Sequence, residues 1–197
     1  LNYDEYIAAG YFFFFLNFDK LSYKIGLRDE NTETKAHSFT NNSITENSYF
    51  KWLPSANISY KINKNERLSL SYAKRLTRPT FFQLTPFRFY SGPNSYLEGN
   101  PLLLPSTTNL LSLAYNNKTL TSTLNVGQDK NQIITYSSLI GNTVANLYQN
   151  STKNNYANLE INFTNNIYKW WKMTHNLGAY YDHSNIPYEG KSYEKSI

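Results

Sequence analysis

The chain has 197 residues, of which 40% are apolar and 17% aromatic, with 18 Tyr, 12 Phe and no Cys. This composition favours strands over helices, and the lack of cysteine excludes disulfides and thiolate metal sites. The formal net charge of +5 is not concentrated in any basic run, so nucleic acid is not expected as a partner. No apolar run reaches the ~18 residues of a transmembrane helix. A β-barrel remains compatible with the mean hydropathy of -0.58, because its strands need only about 9 to 11 residues each and alternate in polarity.

The first predicted element is an aromatic strand. Leu1 to Lys20 has neither a basic n-region nor a small-residue cleavage site, so we do not interpret it as a signal peptide. Within it, residues 11–15 are all aromatic, which makes both faces of the predicted strand apolar. We therefore expect its inward face to pack on a part of the protein outside this chain.

Further along the chain, apolar and polar residues alternate with the period of a half-exposed strand. The apolar members are Leu21, Tyr23, Ile25 and Leu27, then Ala56, Ile58, Tyr60 and Ile62, then Leu68, Leu70 and Tyr72, then Leu120, Leu124 and Val126, and finally Ala157, Leu159, Ile161 and Phe163. The pattern predicts eight strands, at about 6–17, 20–34, 49–62, 67–75, 107–116, 119–132, 143–164 and 172–183. One face of these strands suits lipid and the other suits water.

The predicted connections alternate in length. Short polar turns fall at 17–20, 63–66, 116–118 and 165–168, whereas the links at about 31–48, 75–107 and 128–143 are longer. Outer-membrane barrels have short periplasmic turns and long outer loops. The sequence therefore predicts an all-β, antiparallel transmembrane β-barrel wall of about eight strands in four hairpins, as one domain over residues 1–197. A free, closed eight-stranded barrel is the alternative, and a soluble, secreted β protein that binds carbohydrate is a third interpretation.

The central stretch Arg67–Pro105 is the most distinctive part of the sequence, because a clean strand pattern runs into five prolines. We expect residues 77–105 to form an ordered excursion held by those prolines, by Arg78 and by burial of phenylalanines. The phenylalanines are Phe81, Phe82, Phe87 and Phe89. Gly99 is a candidate for positive φ.

The amino-acid sequence of this stretch resembles that of a known family. It reads Arg75-Leu-Thr-Arg-Pro79, then Leu84-Thr-Pro-Phe-Arg88, then Tyr96-Leu-Glu-Gly-Asn-Pro-Leu-Leu-Leu-Pro105, and related phrases occur at Gly26-Leu27-Arg28 and Leu53-Pro54-Ser55. It is similar to the barrel portion of TonB-dependent receptor-like outer-membrane proteins of the Bacteroidetes type. The resemblance implies an arc of a larger barrel of about 22 strands, with no plug domain in this chain. The implied partners are outer-membrane lipid, the remaining strands and plug of the parent chain, TonB and a surface lipoprotein.

The resemblance leaves two functions open. The first is a receptor in the outer membrane of a Gram-negative bacterium that takes up a large nutrient. The second is a receptor-like barrel that serves as a scaffold in an outer-membrane protein assembly. Neither function is enzymatic, and no cofactor is expected.

Candidate binding residues are a set of arginines beside aromatic residues and a carboxylate: Arg75, Arg78, Arg88, Tyr90, Tyr96 and Glu98. Aromatic faces and guanidinium groups commonly bind sugars, peptides and anionic chelates. In the alternative interpretation, Arg75 and Arg78 pair with carboxylates of the wall and hold the excursion folded.

No metal site is predicted, because the histidines lack ligand spacing; they are His37, His175 and His183. Asp29, Glu30 and Glu33 fit either a cation site at the outer rim or a solvated loop end.

Overall fold

A computed structural model describes residues 2–38, 43–188 and 191–196, and most of them lie in strands. In chain order the elements are β1 (Asn2–Asn17), β2 (Leu21–Ser38), β3 (Ser43–Asn63), β4 (Glu66–Thr77), the helical turn α1 (Phe81–Leu84), β5 (Arg88–Gly92), β6 (Ser95–Glu98), β7 (Ser106–Asn116), β8 (Leu120–Lys130), β9 (Ile133–Ile140), β10 (Thr143–Asn150), β11 (Lys153–Tyr168), β12 (Trp171–Tyr188) and β13 (Lys191–Ser196). No helix among the described residues is long and apolar enough to cross a membrane.

Nine strands form one sheet, here called the wall, in the order β1-β2-β3-β4-β7-β8-β11-β12-β13. Every neighbouring pair in the wall is antiparallel. The described edges, β1 and β13, do not pair with each other, so these strands form an open wall and not a closed barrel. The predicted antiparallel wall is confirmed, with β13 as a short strand beyond the eight that the sequence predicted.

Two of the predicted boundaries are wrong. Residues 31–48 were expected to be a long loop, yet β2 and β3 stay paired as far as Ser38 and Ser43. The β-branched residues Thr32, Thr34 and Thr45 suit such an extension, and Thr32 is completely buried. The predicted strand 143–164 is two strands, because the chain leaves one sheet after Asn150 and enters another at Lys153. Neither Gly nor Pro marks that break in the sequence.

The apolar face of the wall is exposed, whereas a soluble protein would bury such a face. In-register pairing aligns the apolar members of successive strands into rows that cross the wall from β1 to β12. One row consists of Leu16, Tyr23, Ile58, Leu70, Leu113, Leu124, Leu159 and Ala179. Leu70 and Leu113 are each 41% exposed, although they lie near the middle of the sheet. This apolar face has no covering layer among the described residues, which a soluble sandwich would require.

The opposite, polar face carries the row Phe15, Lys24, Asn57, Ser71, Ser112, Asn125, Asn158 and Tyr180. Its side chains hydrogen-bond across strands. The Ser112 hydroxyl donates to Asn125 Oδ1 at 2.6 Å, and the Ser69 hydroxyl donates to Ser59 Oγ at 3.1 Å. Alternation of an apolar face with a hydrogen-bonded polar face is the pattern of a membrane barrel wall, with lipid on one side and water on the other.

β1 differs from the other strands, because aromatic side chains occupy both of its faces as predicted. Phe12 and Phe14 lie on the apolar face, opposite Leu27 and Ile25 of β2. The other three aromatic residues lie on the polar face and form what we call the aromatic ladder, which consists of Tyr11, Phe13 and Phe15. The ladder is exposed, with 59%, 58% and 61% of these residues accessible.

The long links on the polar side of the wall build a second, four-stranded sheet, here called the outer sheet, in the order β5-β6-β10-β9. It joins the segment 78–105, which follows β4, to the segment 131–152, which follows β8. The β6 and β10 strands pair in parallel, although 50 residues separate Tyr96 from Asn146. Segment 78–105 is therefore ordered, as expected, and contains α1, β5 and β6.

Two expectations about segment 78–105 are wrong in detail. The phenylalanines Phe81, Phe82, Phe87 and Phe89 are 40–54% exposed, and the buried apolar residues of the segment are Tyr96 and Leu103. Gly99 does not have positive φ, which among the described glycines belongs to Gly141. Gly99 is required for space instead, because an added Cβ would lie 2.7 Å from the Gln83 carbonyl oxygen and 2.9 Å from that of Phe82.

Candidate functional site

The structure separates the six predicted binding residues into two groups. Arg75 lies near the end of β4, and Arg78 follows β4 directly, so both are close to the wall. Arg88, Tyr90, Tyr96 and Glu98 lie together on one face of the β5–β6 hairpin, where Arg88 pairs with Glu98 and Tyr90 with Tyr96 in the strand register.

Arg78 belongs to an ion-pair cluster on the polar face, here called the clamp. Its guanidinium pairs with Glu30 of β2 and lies 3.5 Å from Glu5 Oε1 of β1. Arg28 pairs with the other carboxylate oxygen of Glu30. Arg78 Nη2 also donates to the Thr32 hydroxyl at 3.4 Å. The clamp therefore connects the first residue of segment 78–105 to two strands of the wall.

The carboxylate at the centre of the clamp is buried, since the Glu30 side chain is only 1% exposed. A charged carboxylate in such a place is stable only when it is paired, and two arginines provide the pairing here. Arg78 thus has the pairing that the alternative interpretation expected. Arg75, in contrast, forms no ion pair with any residue that the structure describes.

The expectation for the acidic residues Asp29, Glu30 and Glu33, which lie within β2, also needs correction. Glu30 was expected in a solvated loop end or a rim cation site, but alternation places it on the polar face inside the clamp. Asp29 and Glu33 alternate with it on the opposite face, so the three carboxylates do not converge. Sequence reasoning therefore missed Arg28 and Glu5, and it missed the ion-pairing role of Glu30. The signal for Arg28 and Glu30 was the alternation of Arg28, Glu30, Thr32 and Thr34 through the last part of the predicted strand 20–34.

The second group, on the β5–β6 hairpin, combines a cation, two aromatic rings and a carboxylate. The Arg88 Nε donates to Glu98 Oε2 at 2.9 Å, and this hydrogen bond raises the pKa of Arg88. The same guanidinium lies 4.6 Å from the Tyr96 ring centroid, and the Tyr90 ring centroid is 5.8 Å from that of Tyr96. Tyr96 is buried whereas Tyr90 is 67% exposed, so the buried ring supports an accessible Arg–Tyr surface. Such a surface can stack on a flat or sugar-like ligand and hydrogen-bond to it.

Three asparagine side chains fix the position of this hairpin by bonding to backbone groups of the other segment. Asn100 Nδ2 donates to the Tyr148 carbonyl at 3.1 Å, and Asn146 Nδ2 donates to the Tyr96 carbonyl at 3.2 Å. Asn150 accepts from the Leu104 N–H at 2.8 Å and donates to the Leu104 carbonyl at 2.9 Å. The two outer segments are thereby held as one unit.

The histidines do not assemble into a site. His175 stacks on Phe163 at 6.3 Å between ring centroids, and His183 Nδ1 lies 2.8 Å from Ser196 Oγ. Within residues 2–38, 43–188 and 191–196, no three His, Asp or Glu side chains lie close enough together to hold a metal ion.

A family described as outer membrane protein beta-barrel family matches residues 1–196. No curated protein matches the chain. A similar fold occurs in the solved structure of the copper transporter OprC, with a TM-score of 0.65 and 13% identity over 93% of this chain and 32% of OprC.

Two further solved structures share the fold. The siderophore receptor PirA from Pseudomonas aeruginosa has a TM-score of 0.51 and 15% identity, over 98% of this chain and 47% of PirA. The FrpB iron transporter from Neisseria meningitidis has a TM-score of 0.52 and 11% identity, over 100% of this chain and 32% of FrpB. The chain thus spans about a third to a half of the length of these structures.

Proposed function

Because the chain belongs to the outer membrane protein beta-barrel family, we propose that it forms part of the wall of a TonB-dependent receptor that takes up a large nutrient. The chain lies in the outer membrane of a Gram-negative bacterium, with the apolar face of the wall toward lipid. In this proposal the polar face lines the lumen, the short turns lie in the periplasm, and the outer sheet lies at the extracellular end.

The observation that carries the proposal is the clamped outer segment. Arg78, at the end of β4, is held to the lumen-facing side of β1 and β2 through Glu5 and the buried Glu30. An ordinary loop would leave the lumen freely open, whereas this segment is folded and is fixed to the wall at its first residue. A ligand arriving from outside meets this fixed surface first, as a receptor requires.

The candidate binding residues divide between two roles in this proposal. Arg88, Tyr90 and Tyr96 form the outer contact surface, with Glu98 orienting Arg88 through its hydrogen bond. Arg75 lies deeper, on the lumen wall, where its side chain is accessible. Arg78 positions the outer segment and does not contact the ligand.

The wall needs further strands to exist in a membrane. The unpaired N–H and C=O groups of an open edge cost several kcal/mol each in hydrocarbon. We therefore propose that the remaining strands of the parent chain pair with the edges and close a barrel of about 22 strands around a plug. Among the solved structures that share the fold, the names indicate transport or reception of copper, a siderophore and iron. These names suggest a scarce nutrient as the ligand class.

The alternative function is a scaffold that holds a surface lipoprotein or another assembly partner. The outer sheet offers a surface for it, because Leu139 is 72% exposed beside the exposed Ile140 and Val144. A scaffold would need the barrel but not energy from TonB.

One experiment separates the two functions. Three strains are compared on a panel of limiting iron, copper and glycan sources: the wild type, a gene deletion, and a strain that lacks only the TonB-contact segment of the full-length protein. We expect both altered strains to lose growth on the same nutrient. If the gene deletion causes a defect that the segment deletion does not reproduce, the protein is a scaffold. Loss of the barrel from the outer membrane is checked by immunoblotting in each strain.

A further inference from the structure

The strand register concentrates positive charge on the lumen-facing side of β2, β3 and β4, although no basic run is visible in the sequence. Six cationic side chains share this face and are here called the basic stripe: Lys24, Arg28, Lys51, Lys61, Arg67 and Arg75. Among the described carboxylates of β2 and β3, Glu30 is the one on the same face, and Glu66 of β4 lines a concavity together with Lys61 and Arg67. The lipid-facing side carries the opposite balance, with Asp29, Glu33 and Glu46 against Lys35 and Lys74.

Most of the basic stripe is not neutralised within the wall. Arg28 pairs with Glu30, whereas the other five members form no ion pair with any described residue. Lys61 even lies directly opposite Arg67 in the antiparallel register. Like charges in directly opposed positions destabilise a sheet.

Apart from the clamp carboxylates Glu5 and Glu30, the acidic side chains that strand alternation places on the lumen face lie on the other half of the wall. The field of the basic stripe therefore has a direction. Glu160 of β11 accepts a hydrogen bond from Asn158 at 3.0 Å. Asp182 of β12 accepts from Asn154 at 3.0 Å, and Asp129 of β8 accepts from Thr108. An anion in the lumen is therefore drawn toward β2–β4 and away from β8–β12.

The aromatic ladder of β1 borders the basic stripe and adds flat binding surface to it. The Arg28 guanidinium lies 4.9 Å from the Tyr11 ring centroid, and Lys24 Nζ lies 5.5 Å from that of Phe13. Phe13 packs over Gly26, where an added Cβ would lie 2.8 Å from the ring. A concavity of about 480 Å³ opens beside these groups and is also lined by Arg75.

We infer that the basic stripe and the aromatic ladder form a binding wall for a polyanionic solute, so that the nutrient of the proposed receptor carries several negative charges. The inference rests on the proposed function, because it needs the lumen to be a path for a ligand. The competing occupant is an acidic segment of the full-length protein that covers the basic stripe permanently.

Cysteine reactivity in the full-length protein measures the local potential directly. Ser71 of β4 lies between Arg67 and Arg75, and Asn158 of β11 lies in the same cross-strand row beside Glu160. Ser71→Cys and Asn158→Cys, each in lipid nanodiscs, are treated with anionic and cationic methanethiosulfonate reagents of equal size. This chain contains no other cysteine.

We expect the anionic reagent to react with Ser71→Cys about tenfold faster than the cationic one at ~10 mM salt, since a unit charge ~10 Å away changes local ion concentration roughly twofold. The preference should be absent or reversed at Asn158→Cys. Adding Arg67→Gln or Arg75→Gln should reduce the preference about two- to threefold, whereas the matched control Lys74→Gln, on the lipid-facing side of the same strand, should leave it unchanged.

Two results would overturn the inference. Equal preference at both cysteines would show that the basic stripe has no directional field. A Ser71→Cys that reacts with neither reagent would show that another part of the protein covers the stripe. The nutrient identified by the growth panel provides an independent check. A neutral nutrient whose uptake requires TonB contradicts the inference and leaves the proposed function intact.

Discussion

Removal of Arg78 should loosen the outer segment without unfolding the wall. Arg78→Ala deletes one of the two ion pairs of Glu30, whose side chain is 1% exposed. Breaking a buried pair costs about 3 to 5 kcal/mol when it leaves a charge uncompensated. Arg28 still neutralises Glu30 after this substitution, and the Arg78 side chain is 24% exposed, so we expect a smaller cost of about 2 kcal/mol.

Limited proteolysis measures this loss of stability as an increase in the rate of cleavage within the outer segment. Chymotrypsin cleaves after Phe and Tyr, and Phe81, Phe82 and Phe89 already expose their side chains, so cutting is limited by local opening of the backbone. When opening is fast relative to cutting, a cost of about 2 kcal/mol increases the rate about 30-fold. The full-length protein is digested in detergent, and the cleavage sites are identified by mass spectrometry.

The matched control is Arg88→Ala, which removes another Arg–Glu pair from the same segment. The Arg88 side chain is 53% exposed, and exposed pairs contribute little to stability. We expect its cutting rate to stay within about threefold of the wild type. Rapid cutting of the wild type between Phe81 and Tyr96, or equal rates for Arg78→Ala and Arg88→Ala, would refute the role of the clamp.

Three other predictions test the wall. The parent protein should fractionate with the outer membrane and require detergent; soluble, monomeric material obtained without detergent or refolding would contradict this. Ile58→Arg should reduce the free energy of unfolding by roughly 2 to 4 kcal/mol if its site faces the middle of the bilayer, and Asn57→Arg by much less; equal losses in urea titrations would show that the faces are misassigned. Gly127→Ala should cost about 1 to 3 kcal/mol, because its Cβ would collide with the Tyr156 ring, whereas Gly178→Ala meets nothing within 4 Å and should be nearly neutral in the same titration.

The wall was predictable because its information is local. Each strand repeats an apolar residue at every second position, and this period is sufficient to assign Ile58, Leu70 and Leu124 to one face. The structure adds only that the three residues lie in one cross-strand row. The short turns were predictable for the same reason, since each joins neighbouring strands over a few polar residues.

The clamp was not predictable, because its partners are distant in sequence. Glu30 and Arg78 are 48 positions apart, and the acidic stretch around Glu30 has the composition of a solvated loop. Glu30 becomes a buried, paired group only in the folded protein, where Arg78 at the start of the outer segment meets it. The charge of the lumen face was hidden for a related reason, since Lys61 and Arg67 are brought into opposition by a hairpin and do not form a basic run.

The outer sheet was the least predictable part of the fold, because its strand pairing depends on contacts between residues distant in sequence. Its central pairing, β6 with β10, is parallel and closes a long loop, which is entropically expensive and has no local sequence signal. Asparagine amides reinforce the pairing, since the Asn150 side chain binds backbone groups of Leu104 in the first segment and of Asn131 in the second. Neither segment can therefore move alone without breaking these bonds. In the proposed receptor, a ligand that contacts Arg88 and Tyr90 would therefore be connected to both segments and, through Arg78, to the wall.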